Sequence, residues 1–367
     1  MMRRSSFSEG ATILGIARSG LLALHRWLSL SAMLFWVLQA ASGVLIVFHW
    51  ELEDALIRAP HIRTDPSAIE TQLGTMVPPG SGLVIESVWT SGGAKDRYDV
   101  YVETPDGDAE RTIRIDGAGN ILRTLTPAES GVFDAIVGFH HDLLAGETGR
   151  WIVGISGLLL AGNIGIALFL AWPGRQRLRA LKPPANSARG IPRLYGWHRA
   201  VGFWGALPAL ALSLAGVLLV FQDSAEAWLA PTSIAKPTEP WTAASPPGFG
   251  KVVGAAMALH PDSRLADVSF PTSDSAVWRV RLRTDGEARR AYGRTTVFVS
   301  GNSGRILASL PASGAPPRRA FLDGIFPFHT GEIAGLPGRL AVVATGLWLL
   351  TMAFLGLVFW KMRRRAR

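Results

Sequence analysis

The chain has 367 residues, of which 48% are hydrophobic and 18% are charged, and its formal net charge is +9. This length allows two or three domains, and the positive mean hydropathy favours a membrane protein. The absence of cysteine excludes disulfides, cysteine-ligated zinc or iron–sulfur sites, and thioether attachment of haem. The basic residues lie in short runs beside apolar segments, which is typical of topology signals, so we predict no nucleic-acid partner.

Four apolar runs are long enough to cross a bilayer about 30 Å thick, which takes roughly 20 helical residues. They cover residues 24–48, 152–172, 197–221 and 340–360. The first run shows no small-residue cleavage site, so we predict a retained helix rather than a signal peptide. The sequence therefore predicts a four-helix transmembrane bundle in a lipid bilayer.

Basic residues predict the orientation of these helices, because they concentrate in three segments on one side of a four-helix topology. The segments hold Arg3, Arg4 and Arg18, then Arg175, Arg177, Arg179, Lys182, Arg189 and Arg193, then Lys361, Arg363, Arg364, Arg365 and Arg367. By the positive-inside bias this side is the cytoplasm. The predicted division is an N-terminus with the first helix (1–50), an outer domain (51–149), the second helix (150–172), a basic loop (173–196), the third helix (197–221), a second outer domain (222–338), and the fourth helix with its basic tail (339–367).

The two outer segments have similar strand patterns, in which apolar and polar residues alternate as in half-buried antiparallel strands. The predicted strands are 84–89, 98–103, 112–115 and 121–125 in the first segment, and 266–270, 277–283, 296–299 and 306–310 in the second. A short amphipathic helix is predicted at 252–259. Pro-rich stretches at 231–247 and 311–317 are interpreted as linkers. The predicted fold class is an α+β membrane protein with two α+β outer domains.

The chain contains an internal repeat, which a search for long-period self-similarity reveals. His25-Arg26 and His198-Arg199 begin the first and third helices, 173 residues apart, and the same offset relates Gly43-Val44-Leu45 to Gly216-Val217-Leu218. Further matches relate Phe139-His140, Gly146, Gly149 and Arg150 to Phe328-His329, Gly335, Gly338 and Arg339. Both halves begin on the same side, so we predict parallel repeats about a pseudo-two-fold axis along the membrane normal.

The repeat makes two histidine pairs: His25 with His198 at the cytoplasmic side, and His140 with His329 at the outer side. A pseudo-two-fold axis brings each pair face to face, which is the geometry of two axial ligands on one metal. Because imidazole is a common haem ligand and there is no cysteine, we predict two b-type haems. His49 and His141 remain alternative ligands of the outer haem, whereas the repeat places Gln222 where the first half has His49. His61 and His260 are interpreted as surface or structural residues.

Other polar residues near the helices have two interpretations. Arg26, Arg199, Arg150 and Arg339 either pair with haem propionates or anchor the helices at the membrane interface. Asn163 and Gln39 lie within apolar spans, where interhelical hydrogen bonding is the predicted role. Gly216 and the glycines of the second span permit close helix packing or leave room for a flat macrocycle.

The chain resembles the PepSY-associated transmembrane proteins, often called iron-regulated membrane proteins, from about residue 24 to residue 360. The resemblance rests on Leu24-His25-Arg26-Trp27-Leu28, Gly43-Val44-Leu45, the Phe139-His140 segment with Gly146, Gly149 and Arg150, and the two strand-rich outer units. It implies PepSY-like outer domains in the periplasm, the bacterial inner membrane as the compartment, and a di-haem reductase of ferric siderophores. The chain departs from the pattern at Gln222, and Pro337 is expected to interrupt the approach to the fourth helix.

The leading hypothesis is a haem-dependent oxidoreductase that carries electrons across the membrane to a ferric siderophore. No dinucleotide or flavin fingerprint follows a predicted strand inside, so quinol or a separate cytoplasmic reductase is the expected electron donor. The alternative hypothesis is a non-enzymatic scaffold whose PepSY-like domains bind or regulate a periplasmic partner. A siderophore or metal transporter is less favoured, because no Gly/Pro-broken helix pair occurs at the midplane.

Overall fold

The computed structural model of the chain describes residues 5–92, 94–106, 108–126, 129, 131–172, 182–185, 189–229, 236–243, 245–285, 287 and 292–366. Some residues on which the predictions rest lie outside the described residues. They are the basic residues within 1–4, within 173–181 and at position 367, and part of the linker predicted at 231–247. Among the described residues the helices are α1 (Ser5–Ile46), α2 (His49–Leu56), α3 (Pro66–Met76), α4 (Val132–Asp142), α5 (Gly146–Ala171), α6 (Gly190–Val220), α7 (Gln222–Leu229), α8 (Phe249–Leu259), α9 (Pro317–His329) and α10 (Gly335–Arg365). The strands are β1 (Val84–Thr90), β2 (Arg97–Glu103), β3 (Ala109–Asp116), β4 (Ile121–Leu125), β5 (Arg264–Ser269), β6 (Val277–Arg283), β7 (Thr295–Ser300) and β8 (Ile306–Leu310).

The four predicted membrane spans are confirmed as long apolar helices. They are Ile16–Ile46 within α1, Gly146–Ala171, Gly190–Val220 and Glu332–Arg365, which contains α10. Each helix begins several residues before the predicted span, because hydropathy marks only the part suited to the hydrocarbon core. The interruption expected at Pro337 does not occur: this proline lies in the first turn of α10, where its missing N–H has no intrahelical partner to lose.

The four helices form a closed ring in chain order, so each repeat supplies two neighbouring helices. Helix α1 contacts α5 and α10, and α6 contacts the same two helices. The helices α1 and α6, which each begin one half of the repeat, therefore occupy opposite corners and both face the bundle interior. We call the end of the bundle beside α2 and the strands the sheet end, and the opposite end the distal end.

The strands of the two segments that link the first span to the second and the third to the fourth join in one eight-stranded antiparallel sheet, in the order β4-β3-β2-β1-β5-β6-β7-β8. The sequence predicts the strands of this sheet closely, but it predicts two separate units, and the structure pairs β1 with β5. A four-stranded unit on its own would leave β1 or β5 as an unpaired edge. Pairing these strands satisfies both edges at once.

The junction between the two halves of the sheet is itself two-fold symmetric. Residues of β1 and β5 are related by an offset of 180, and Val88 pairs with its own equivalent Val268. On either side the pairs are Ser87 with Ser269 and Trp89 with Asp267, which exchange under the same offset. The pseudo-two-fold axis therefore passes between the two valines, as in the interface of a symmetric dimer.

One shared core covers a single face of this sheet. Helices α3 and α8 pack on the apolar face, where Val88, Val100, Val268 and Val280 are fully buried. The helix predicted at 252–259 is α8, whereas α3 was not predicted. Its start is nevertheless marked in the sequence, because the Asp65 carboxylate accepts hydrogen bonds from two backbone N–H groups and Pro66 occupies the first helical position.

Candidate functional site

Helices α1 and α6 carry the same spacing of a histidine and a glycine. Gly43 lies 18 residues after His25, and Gly216 lies 18 residues after His198. Eighteen residues make about five turns of helix and a rise of about 27 Å. In each helix the histidine and the glycine are therefore on the same face, one near the distal end and the other near the sheet end.

Each of these glycines holds the imidazole of a histidine from the same half. A Cβ atom at Gly43 would lie 2.9 Å from Cε1 of His140, and one at Gly216 would lie 3.0 Å from Cε1 of His329. Such contacts are closer than packed carbon atoms normally approach. The two glycines admit the two rings into the bundle, and any side chain at either position would push its ring away.

The rings of His140 and His329, the sheet-side pair, face each other across the bundle. Their centroids are 6.4 Å apart and their planes are inclined by 37°. With metal–nitrogen bonds of about 2.0 Å, two imidazoles on opposite sides of one metal have centroids roughly 6.3 Å apart. The spacing of the pair is thus suited to one metal between two imidazoles.

Hydrogen bonds fix the tautomers of the sheet-side pair. Nδ1 of His329 donates to the carbonyl oxygen of Leu212 at 3.0 Å, which can only accept. Nδ1 of His140 lies 3.0 Å from Oγ of Ser42, whose hydroxyl donates to the carbonyl of Gln39. Residues 39 and 212 are equivalent in the repeat, so both rings are held by the turn that precedes their glycine. In both rings Nε2 is therefore unprotonated, and it is the atom that can bind a metal.

Burial keeps both imidazoles of the sheet-side pair neutral. Loss of hydration, followed by repulsion from His329, lowers the pKa of His140 to about 3. Burial also lowers the pKa of His329. Because a metal-bound imidazole must be unprotonated, this environment favours the form that can bind a metal.

The distal pair, His25 and His198, is held differently. Nδ1 of His25 donates to Oδ1 of Asn163 at 3.0 Å, and Nδ2 of Asn163 donates to Oγ of Ser29 at 2.9 Å. Nδ1 of His198 is buried and makes no hydrogen bond within the described part of the chain. His25 lies on α1 and His198 on α6, the two helices at opposite corners of the bundle. Asn163 therefore makes the predicted interhelical hydrogen bond, and its partner is the candidate ligand His25.

The two alternative histidines lie beside the sheet-side pair. The ring of His141 is 6.2 Å from that of His140 and its residue is exposed. His49 bonds to the carbonyl of Ile46 through Nδ1 and packs against Trp50 and Phe133. Of the candidates His49, His140 and His141, the one opposite His329 is His140.

The two histidines interpreted as structural lie in the segments that carry the strands. His61 lies 3.2 Å from the Asp54 carboxylate and bonds to the backbone of Lys95. His260 bonds to the Ser309 hydroxyl at 3.0 Å.

The four candidate arginines have different environments. Arg339 is 5% exposed and donates to both carboxylate oxygens of Glu51, at 2.5 and 2.8 Å, with its guanidinium 4.2 Å from the Phe48 ring centroid. Because its guanidinium already binds this carboxylate, Arg339 does not fit the role of a partner for a haem propionate. Arg26 lies over the Trp27 ring, Arg150 is exposed, and Arg199 is half-buried beside the distal pair.

The candidate ligands of the site are histidine pairs. Within the described ranges no group of three or more His, Cys, Asp or Glu side chains could hold a metal ion. Sequence reasoning found the paired histidines through the repeat, but it did not find the seating role of Gly43 and Gly216. The shared five-turn spacing from His25 and His198 was the available signal.

These features define a duplicated four-helix membrane protein that carries paired histidines at two levels and a single sheet at one end. The chain matches the family described as the PepSY-associated TM region over residues 22–363, and it belongs to that family. No curated protein matches the chain.

Proposed function

We propose that this protein is a transmembrane electron-transfer oxidoreductase with two b-type haems, and that it reduces ferric iron held in a siderophore outside the cytoplasm. The observation that carries the proposal is the sheet-side pair: two neutral imidazoles, 6.4 Å apart, whose Nδ1 atoms are both engaged by backbone or hydroxyl groups. The same repeat supplies the distal pair, so the proposal needs one haem at each level.

The donor set suits haem better than a free metal ion. Two imidazoles provide only two ligands, so a six-coordinate metal needs four more donors in a plane between them, which a porphyrin provides. A b-type haem, when bound, supplies a reversible one-electron Fe(III)/Fe(II) couple. His140 and His329 would hold the sheet-side haem, and His25 and His198 the distal haem. Because the protein would fill both axial positions, oxygen binding is disfavoured and electron transfer is favoured.

The separation of the two levels supports a relay. The histidine and glycine positions on α1 and α6 are about 27 Å apart along the helix axis. One cofactor at this depth would leave most of the membrane to cross in one step. Two cofactors, one seated at each level, divide the distance. Arg26, Arg150 and Arg199 remain candidates for propionate partners, and Arg26 and Arg199 lie next to the distal histidines in sequence.

The direction and the acceptor follow from charge and chemistry. Basic segments predict the distal end to be cytoplasmic, so electrons would enter there from quinol or a separate reductase and leave at the sheet end. Reduction of ferric to ferrous iron weakens binding by the hard oxygen ligands of a siderophore, so it releases the metal. The family resemblance supports this acceptor.

The deciding experiment is a pyridine haemochrome assay on the purified full-length protein after haem-replete expression. We expect two haems per chain, and loss of about half of the haem in each of the variants His198→Ala and His329→Ala. His260→Ala is the matched control, because this histidine lies beside the sheet, and it should keep both haems.

Wild-type protein without Soret and α-band absorbance would overturn the proposal and favour the scaffold hypothesis. So would wild-type haem content in both pair variants. Reduction of ferric siderophore by the pre-reduced protein, followed by trapping of Fe(II), would then test the acceptor.

A further inference from the structure

We infer that Asn163 is a positioning residue that tunes the distal haem by accepting a hydrogen bond from His25. The inference rests on the proposed function. Asn163 is 5% exposed, lies in the second half of α5, and places Oδ1 3.0 Å from Nδ1 of His25. A buried amide at this depth normally satisfies its polar atoms with neighbouring helices. Here one of its partners is a ligand candidate.

The amide orientation is fixed by a second hydrogen bond. Nδ2 of Asn163 donates to Oγ of Ser29 at 2.9 Å, so the carbonyl side of the amide faces His25. Ser29 lies one helical turn after His25 on α1, which ties the amide to the same helix as the ring. Since Oδ1 can only accept, Nδ1 of His25 carries the proton and Nε2 keeps its lone pair for a metal.

The repeat shows that this hydrogen bond belongs to one half only. The offset of 189 that relates Arg150 to Arg339 places Met352 where the first half has Asn163. Met352 packs toward Gly202, one turn after His198 on α6. Nδ1 of His198 is buried without a hydrogen-bond partner in the described part of the chain. The distal pair thus has one supported and one unsupported imidazole.

This difference has a chemical consequence for a metal bound between the two rings. An acceptor on Nδ1–H increases the electron donation of the imidazole through Nε2 and makes it a stronger ligand. Stronger donation favours the ferric state and lowers the reduction potential. Both histidines of the sheet-side pair have an acceptor for Nδ1, so the distal pair carries one fewer.

The test is a spectroelectrochemical titration of the two haems in the wild-type protein and in variants. Asn163→Leu should raise the midpoint potential of the distal haem and leave the sheet-side haem unchanged. We expect about a tenfold change in the reduction equilibrium, which is about 59 mV for one electron. Asn163→Asp, which restores an acceptor, should return the potential to the wild-type value or below it. Low-temperature EPR should show a change in only one of the two low-spin ferric signals.

Met352→Asn is the complementary variant, because it copies the first-half residue beside His198 and leaves Asn163 in place. It should lower the same potential. Unchanged potentials in Asn163→Leu with both haems bound would overturn the inference and leave the proposed function standing. If Asn163→Leu loses the distal haem, an unchanged potential in Met352→Asn would overturn it. Wild-type protein with no haem would instead overturn the proposed function.

Discussion

The two halves of this protein agree where they surround the histidines and differ where they fasten the sheet to the membrane helices. A Cβ atom at Gly43 would lie 2.9 Å from Cε1 of its histidine, and one at Gly216 would lie 3.0 Å from the same atom of its own. Helix α2 and its counterpart α7 are much less alike. The carboxylates of α2 reach three different elements, in the pairs Glu51–Arg339, Glu53–Arg114 and Asp54–Arg97. In the described part of α7, Glu226 lies 3.8 Å from Arg319.

The difference teaches which contacts a duplicated fold keeps. A site on the pseudo-two-fold axis is lined by equivalent residues from both halves. A substitution in either half therefore alters the site. The ion pairs of α2, which we call the anchor, join the sheet to the bundle and need no equivalent in the second half. Because the sheet is continuous, one anchor holds both halves. We therefore expect substitutions at the seats to act equally in both halves, and substitutions at the anchors to act in one.

The largest expected effect is at the two glycine seats. Gly43→Val and Gly216→Val each place a branched side chain where the imidazole lies, so each should displace its own histidine and, under the proposed function, lose about half of the haem. The measurement is haem stoichiometry with the absorbance spectrum of the remaining haem. Gly162→Val is the matched control, since a Cβ there meets nothing within 4 Å. Loss of haem from only one of the two seat variants would break the comparison.

The next effect concerns a charge in the sheet that the first half lacks. Asp267 is fully buried, and its equivalent under the strand offset is Ser87. Burial raises the pKa of Asp267 to about 6, against the opposing effect of Arg279 and Arg281. The folded state therefore binds the proton more tightly than the unfolded state, and the free energy of unfolding falls as the pH rises from about 4 to about 6.

A shift of about two pKa units corresponds to about 3 kcal/mol at most. The variant Asp267→Ser, which copies the first half, should remove this fall and give a flatter profile. Chemical denaturation followed by tryptophan fluorescence from pH 4 to pH 7 measures it. Identical profiles for variant and wild type would show that Asp267 does not titrate differently on folding.

The smallest effect is at the anchor between α2 and α10. Glu51→Gln leaves the guanidinium of Arg339 buried without its carboxylate partner, which is costly when a charge stays desolvated. The Glu51 side chain is 35% exposed, so water offsets part of the loss and we expect destabilisation of about 1 to 2 kcal/mol.

The matched control at this anchor is Arg150→Gln, the equivalent arginine of the first half. Arg150 is exposed, and its replacement should change the stability by less than about 0.5 kcal/mol. Thermal unfolding in the same detergent compares the two variants. An equal loss in both would mean that the two arginines are equivalent after all.

The parts of the fold that sequence predicted are those with local signals. Hydropathy located the four spans, and alternation located the strands, because both depend on residues close together in the chain. The pairing of Val88 with Val268 depends on two edge strands that meet across the symmetry axis, and neither strand alone indicates its neighbour. The Glu51–Arg339 pair joins residues 288 positions apart, so no short pattern contains it.

The candidate site was predictable to the extent that it repeats. Two histidines at equivalent positions indicate a pair, and the structure brings His140 opposite His329. The second half has Met352 in the place of Asn163, so the repeat carried no information about the contact of Asn163 with His25. Its burial in an apolar span was the only signal, and this signal indicates a hydrogen bond without naming the partner.

The continuous sheet has a mechanical consequence. Its central pair, β1 with β5, joins the two halves by backbone hydrogen bonds across the symmetry axis at one end of the bundle. Transporters built from repeats work by rocking one repeat against the other, so that a central site opens to each side in turn. The β1–β5 pair resists that motion and keeps the halves at a constant separation. Such rigidity is compatible with the proposed function, because an electron can cross the molecule without movement of the two halves.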